Sequence, residues 1–183
     1  MNNLLHKNQN AIGLGVTPFA LLSVLPTYTI DWLVVDHNLS ILQETLHPDC
    51  YPLGSHEREL ADVTLSLINN AYSVLKDPIQ RIRALFDVRN IPIPGKNGQT
   101  INDPLMMDEA FLLKESLDEA CIKGQIDLFI KSLNEQQKLL EDHFNNAFLN
   151  NDEIKMKKTY IRLSFCLKTL NDAKAFCFEN KGK

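Results

Sequence analysis

Between Asp31 and Leu46 the apolar residues Trp32, Val35, Leu39, Leu42 and Leu46 recur at steps of three and four, with polar residues between them. That spacing puts all five on one face of a helix, and Asp31 can cap its N-terminus. The stretch before it, PFALLSVLP (18–26), predicts a short helix with Pro18 in its first turn and Pro26 ending it. A second amphipathic pattern opens at Ser55, with Glu57 and Glu59 in its first turn, where carboxylates suit the helix dipole. Leu60, Val63, Leu67, Ala71 and Val74 form its predicted apolar face, and Asp77 and Pro78 interrupt it. Two apolar stripes joined by a short loop must pack antiparallel to hide both. The loop is TLHPDCYP (45–52), where Pro48 disfavours helical geometry at His47 and leaves His47, Pro48 and Asp49 at the tip of a hairpin.

A short fourth helix carries Ile79, Ile82 and Phe86 on its inner side, and then the pattern breaks. The prolines, glycines and asparagines of NIPIPGKNGQTIND (90–103) mark a linker and a domain boundary. Three more helices are predicted, one opening at Asp103-Pro104, one from about Gln125 to Phe148 and one from Asp152 to about Phe178. Their seams are Met106, Ala110, Leu113, Leu117 and Cys121; Ile126, Ile130, Leu133, Leu140 and Phe144; and Met156, Tyr160, Leu163, Leu167 and Leu170. These also step by three and four, as a small antiparallel bundle requires.

Composition agrees with an all-α protein. A chain of 183 residues with 44% hydrophobic and 23% charged content can bury a core, and Leu, Glu, Lys, Gln and Asn at helical spacing outweigh runs of Val, Ile and Thr. The net charge of -4 and the lack of a Lys/Arg stripe argue against nucleic acid as the main partner. Cys50, Cys121, Cys166 and Cys177 form no CxxC pair, which fits a reducing compartment. AIGLGVTPFALLSVL (11–25) resembles the apolar part of a secretory signal, but Pro18 interrupts it, only Lys7 precedes it as a fixed positive charge, and no small-x-small site follows. No apolar run reaches the length that spans a bilayer, so neither export nor membrane insertion is expected.

Candidate chemistry is sparse. His47, Asp49, Cys50 and His56 are plausible metal donors, yet their spacing matches no closed zinc pattern and mixes hard with soft ligands. Cys166 and Cys177 lie about 16 Å apart along one helix, and these two, like Cys121 on its seam, are expected as buried small hydrophobes. No GxSxG, reactive-cysteine context or glycine-rich phosphate loop occurs, so no catalytic residue, cofactor site or metal is expected. His6, His37 and His143 are expected at the solvated surface.

One ridge stands out. Met107, Phe111, Glu115 and Glu119 follow each other at steps of four, apart from the core seam, with Asp108 and Leu112 beside them. An apolar patch with a carboxylate rim is a candidate protein-binding surface; burial on two sides by bundle partners is the alternative. Phe165 and Ile161, off the seam of the last helix, either extend this patch or fill a gap between helices.

Taken together, PFALLSVLP, the hairpin with HPD at its tip and the segment INNAYSVLKDPIQRIRALF resemble a J-domain. The remainder, through DPLMMDEAFLLKESLDEA, resembles the C-terminal bundle of the HscB-type co-chaperones of iron-sulfur cluster assembly. The resemblance implies an L-shaped all-α protein: a tail over 1–16, a J-domain over 17–90, a linker over 91–103 and a three-helix scaffold-binding bundle over 104–183. It implies an adaptor without catalytic activity of its own, working in the bacterial cytoplasm or a mitochondrial matrix, as a monomer or weak dimer. Its implied partners are a DnaK/HscA-type chaperone ATPase, met through His47, Pro48 and Asp49, and an IscU-type scaffold. The scaffold face falls on Met107, Asp108, Phe111, Leu112, Glu115 and Glu119, with Phe165 from the last helix. This chain departs from the family where 31–46 contains no Lys or Arg but holds Asp31, Asp36 and Glu44, and where Cys50 follows HPD. Steering toward an acidic partner is therefore expected to be weak.

Overall fold

The structure, a computed structural model, describes residues 16–95 and 104–180. The predicted tail up to residue 15, His6, Lys7, Asp103 and the second half of the predicted linker lie outside the described residues. Among the described residues there are seven α-helices and no strand: α1 Pro18–Leu21, α2 Trp32–Thr45, α3 His56–Lys76, α4 Pro78–Val88, α5 Pro104–Ile122, α6 Ile126–Leu149 and α7 Glu153–Asn180. Contacts divide the chain into two units that part between Ile91 and Pro92. No described helix is long and apolar enough to cross a membrane.

In the first unit the caps expected at Asp31 and Ser55 are in place, accepting hydrogen bonds from the Leu33 and Arg58 amides. Two further caps join them: Thr17 accepts from the Ala20 amide, and Asp77 from both Ile79 and Gln80. The first helix stops earlier than the expectation set by Pro26, because Ser23 takes a left-handed backbone (φ 55°) and its amide turns back to Ala20 O. α2 and α3 form the expected antiparallel hairpin, joined by Gln43 Nε2 donating to Asn69 Oδ1 (3.0 Å), Tyr72 Oη donating to Asp36 Oδ1 (2.9 Å) and the edge contact of Trp32 with Tyr72.

The buried face of α3 is rotated from its prediction. Ala61, Thr64, Ile68, Ala71 and Leu75 are buried, Leu60, Leu67 and Val74 are half-buried, and Val63 is exposed. α3 packs against α1, α2 and α4, and the small side chains mark where neighbours come closest. A search for large apolar residues therefore chooses a face one position off. The core of the unit adds Phe19, Leu22, Tyr28, Val35, Leu46, Ile82, Leu85 and Phe86. It also takes in Arg81, whose guanidinium donates to Leu75 O (2.6 Å) and Tyr28 O (3.1 Å) and lies over the rings of Tyr28 and Trp32. Carbonyls and π faces replace the water that this charge loses.

In the second unit the predicted seams all turn inward. Met106, Leu133, Leu140, Phe144, Met156, Tyr160, Leu163 and Leu170 are buried, and Ala110, Leu113, Leu117, Cys121, Ile126, Ile130 and Leu167 are half-buried. Cys166 is a buried small side chain as expected, its thiol against Leu133 O, whereas Cys121 and Cys177 are only half-buried. α7 packs on α6 along its length and on α5 at the side, so α5 is the least covered of the three helices.

Candidate functional site

The HPD stretch forms one 3₁₀ turn, Pro48–Cys50, at the end of the α2–α3 hairpin. Proline at the first position holds His47 extended (φ -60°, ψ 130°), and from there the His47 ring folds back to accept the Asp49 amide at Nδ1 (3.3 Å). Nδ1 is then an acceptor, which leaves Nε2–H as the ring's free donor. Cys50 N to His47 O and Tyr51 N to Pro48 O close the turn. Leu46, fully buried just before it, fixes the turn to the core, while His47 and Asp49 are exposed and Pro48 is half-buried. The result is a small, internally bonded knob that presents one imidazole and one carboxylate.

That carboxylate has a partner in the chain. Arg58 Nη2, from the first turns of α3, donates to Asp49 Oδ1 at 2.9 Å. Oδ2 lies 3.7 Å from His47 Nδ1, too long for a hydrogen bond. The alternative metal set is not assembled: His56 faces Glu59, Asp49 faces Arg58, and among the described residues no group of three or more His, Cys, Asp or Glu comes together.

The second candidate surface is the outer side of α5. Met107 (59%), Phe111 (68%) and Leu112 (58%) stand in solvent with Asp108, Glu115 and Glu119 around them, so the bundle partners leave this ridge uncovered. Leu112 and Phe165 line the same groove of about 410 Å³, together with Glu109, Ser116, Gln136 and Arg162. Phe165 is half-buried there, and Ile161, one turn earlier, is buried in the bundle. Glu119 borders a different groove facing α6. Lys123 bonds Glu119 and holds its carboxyl below the usual glutamate range. Met107, Asp108, Phe111 and Glu115 line none of these grooves and form the crest between them.

Two features of the surface escaped the periodicity. Leu105 is 71% exposed and lies seven residues before Leu112, on the same side of α5, a spacing that could have found it. Arg162 donates two 2.7 Å bonds to Glu109, 53 residues away, a fork that pins α5 to α7 behind the ridge and carries no local sequence signal.

No family model matches the chain. Curated relatives carry one shared name. The co-chaperone protein HscB homolog of Vibrio vulnificus is 34% identical over 102 residues, which cover 55% of this chain and 59% of the relative. The iron-sulfur cluster co-chaperone protein HscB of Mus musculus is 24% identical over 148 residues, 80% of this chain and 63% of the relative. The chain thus spans about three fifths of the length of the first curated relatives it matches. Among solved structures, the chaperone HscB from Vibrio cholerae superimposes with a TM-score of 0.78 at 22% identity, covering 88% of this chain and 98% of the other. The resemblance to HscB-type proteins and the all-α class read from the sequence are both borne out.

Proposed function

We propose that this chain is an HscB-type co-chaperone of iron-sulfur cluster assembly, an adaptor with no catalytic activity of its own, built as a J-domain (17–90), a linker (91–103) and a scaffold-binding bundle (104–183). The observation that carries the reading is the exposed His47-Pro48-Asp49 turn, locked by its own hydrogen bonds at the end of the α2–α3 hairpin. A rigid turn loses little freedom when a partner docks on it, so more of the contact energy appears as binding. Asp49 Oδ2 and His47 Nε2–H offer a partner ATPase one acceptor and one donor. In this reading the partner is a DnaK/HscA-type chaperone, and contact with the turn speeds its ATP hydrolysis.

The bundle supplies the cargo end. Met107, Phe111 and Leu112 form the apolar centre of the surface that takes an IscU-type scaffold, Asp108, Glu115 and Glu119 form its rim, and Phe165 closes one side through the groove it shares with Leu112. Carrying both surfaces on one chain raises the local concentration of scaffold at the chaperone, which is the physical content of delivery. Neither nucleic acid nor a membrane is needed, and the site of action is the bacterial cytoplasm or a mitochondrial matrix. Single-turnover ATP hydrolysis by the cognate chaperone, with this protein and the scaffold added separately and together, tests the reading. Stimulation by this protein that the scaffold increases supports it, and an unchanged rate counts against it.

A further inference from the structure

α5 and α7 run side by side and in the same direction. Arg162 meets Glu109, 53 residues earlier, and further along both helices Leu117 lines one groove with Phe165, Thr169 and Asp172. Carried one turn onward, this register brings Cys121, in the last turn of α5, opposite the part of α7 that follows Ala173. Ala173 is fully buried, and Cys177 lies four residues beyond it on the same face. Both cysteines are free and half-buried. Burial first, then the charges of Asp118 and Cys177, push the Cys121 thiol up, and the last of these effects requires the two sulfur groups to be near each other.

We infer that Cys121 and Cys177 are a dithiol pair that a low-molecular-weight disulfide such as oxidised glutathione converts to an intramolecular disulfide, fastening the C-terminal end of α5 to α7. The Cys177 thiolate attacks one sulfur of the oxidant, forming a mixed disulfide and expelling one glutathione thiolate. The Cys121 thiolate then attacks the Cys177 sulfur and expels the second. Two protein thiols are oxidised, one glutathione disulfide is reduced to two thiols, and the two protons pass to the departing thiolates. Although burial and its neighbours leave little of Cys121 ionised, a thiol of raised pKa is intrinsically the stronger nucleophile, and here it attacks within the same molecule. The other thiols are placed otherwise. Cys50 belongs to the first unit, and Cys166 is fully buried against Leu133 O, about 16 Å from Cys177 along α7.

The test is peptide mass spectrometry under non-reducing conditions on the full chain equilibrated with oxidised glutathione, alongside thermal unfolding. The expected result is a Cys121–Cys177 linked peptide as the main oxidised product, with the unfolding midpoint raised by about 10 °C as the crosslink closes a long loop, and both changes reversed by dithiothreitol. Cys177→Ser, which keeps a small polar side chain at the site, should give neither the linked peptide nor the rise. Glutathione adducts on Cys121 and Cys177 without a linked peptide, or a rise that persists in Cys177→Ser, would overturn the inference.

Discussion

Arg58 Nη2 holds Asp49 Oδ1 at 2.9 Å, across the gap between the HPD turn and the first turns of α3. Asp49 is exposed at the tip of the hairpin, yet one of its oxygens is already engaged within the chain. A carboxylate accepts more than one bond, so Arg58 orients the group and leaves Oδ2 able to accept another, as the proposed docking requires. Removing Arg58 lets the side chain sample other rotamers and adds an ordering cost to docking.

Arg58→Ala should therefore raise the concentration of this protein needed for half-maximal ATPase stimulation by about 1.4- to 5-fold, in line with the ~0.2–1 kcal/mol typical of an exposed pair. The maximal stimulated rate should be unchanged. Titration into a fixed amount of chaperone measures both quantities.

Phe111 is 68% exposed, so its contacts within the fold are few. Phe111→Ala should change the free energy of unfolding by less than about 0.5 kcal/mol while weakening scaffold binding roughly ten-fold or more. Denaturant unfolding and calorimetry with purified IscU-type scaffold separate the two effects.

Asp152 caps the start of α7, accepting the Lys155 amide at 3.0 Å and pairing with the Lys155 ammonium. The amide bond first, and then the lysine side chain, hold its carboxyl below the ordinary aspartate range. A depressed folded pKa means that this contribution to stability is present above the ordinary aspartate pKa and is lost as pH falls through the lower folded value. Stability measured against pH should fall less steeply across that acid range in Asp152→Asn than in the parent chain.

What could be read from the sequence follows the range of the forces involved. Caps and seams depend on residues two to four apart, so the caps at Asp31 and Ser55 and the three bundle seams were legible, while Asp77 was read only as a break and its capping role was not. The exposed ridge at Met107 and Phe111 was legible for the same reason, because two faces of one helix can be told apart by spacing. The face of α3 was not, since three neighbouring helices select small residues such as Ala61 and Thr64 that a hydrophobic pattern passes over. Arg81 over Tyr28 and Trp32, Arg58 on Asp49 and Arg162 on Glu109 all join residues that only the folded chain brings together.

The most direct measurement of the central claim is single-turnover ATP hydrolysis by the cognate DnaK-class chaperone, comparing this protein with Asp49→Asn. The substitution keeps the shape of the turn and the His47 bond to the residue-49 amide but removes the charge. The account predicts clear stimulation by the parent protein, loss of most of it with Asp49→Asn, and scaffold affinity equal in the two. Equal stimulation by both proteins would contradict a trigger at His47-Pro48-Asp49.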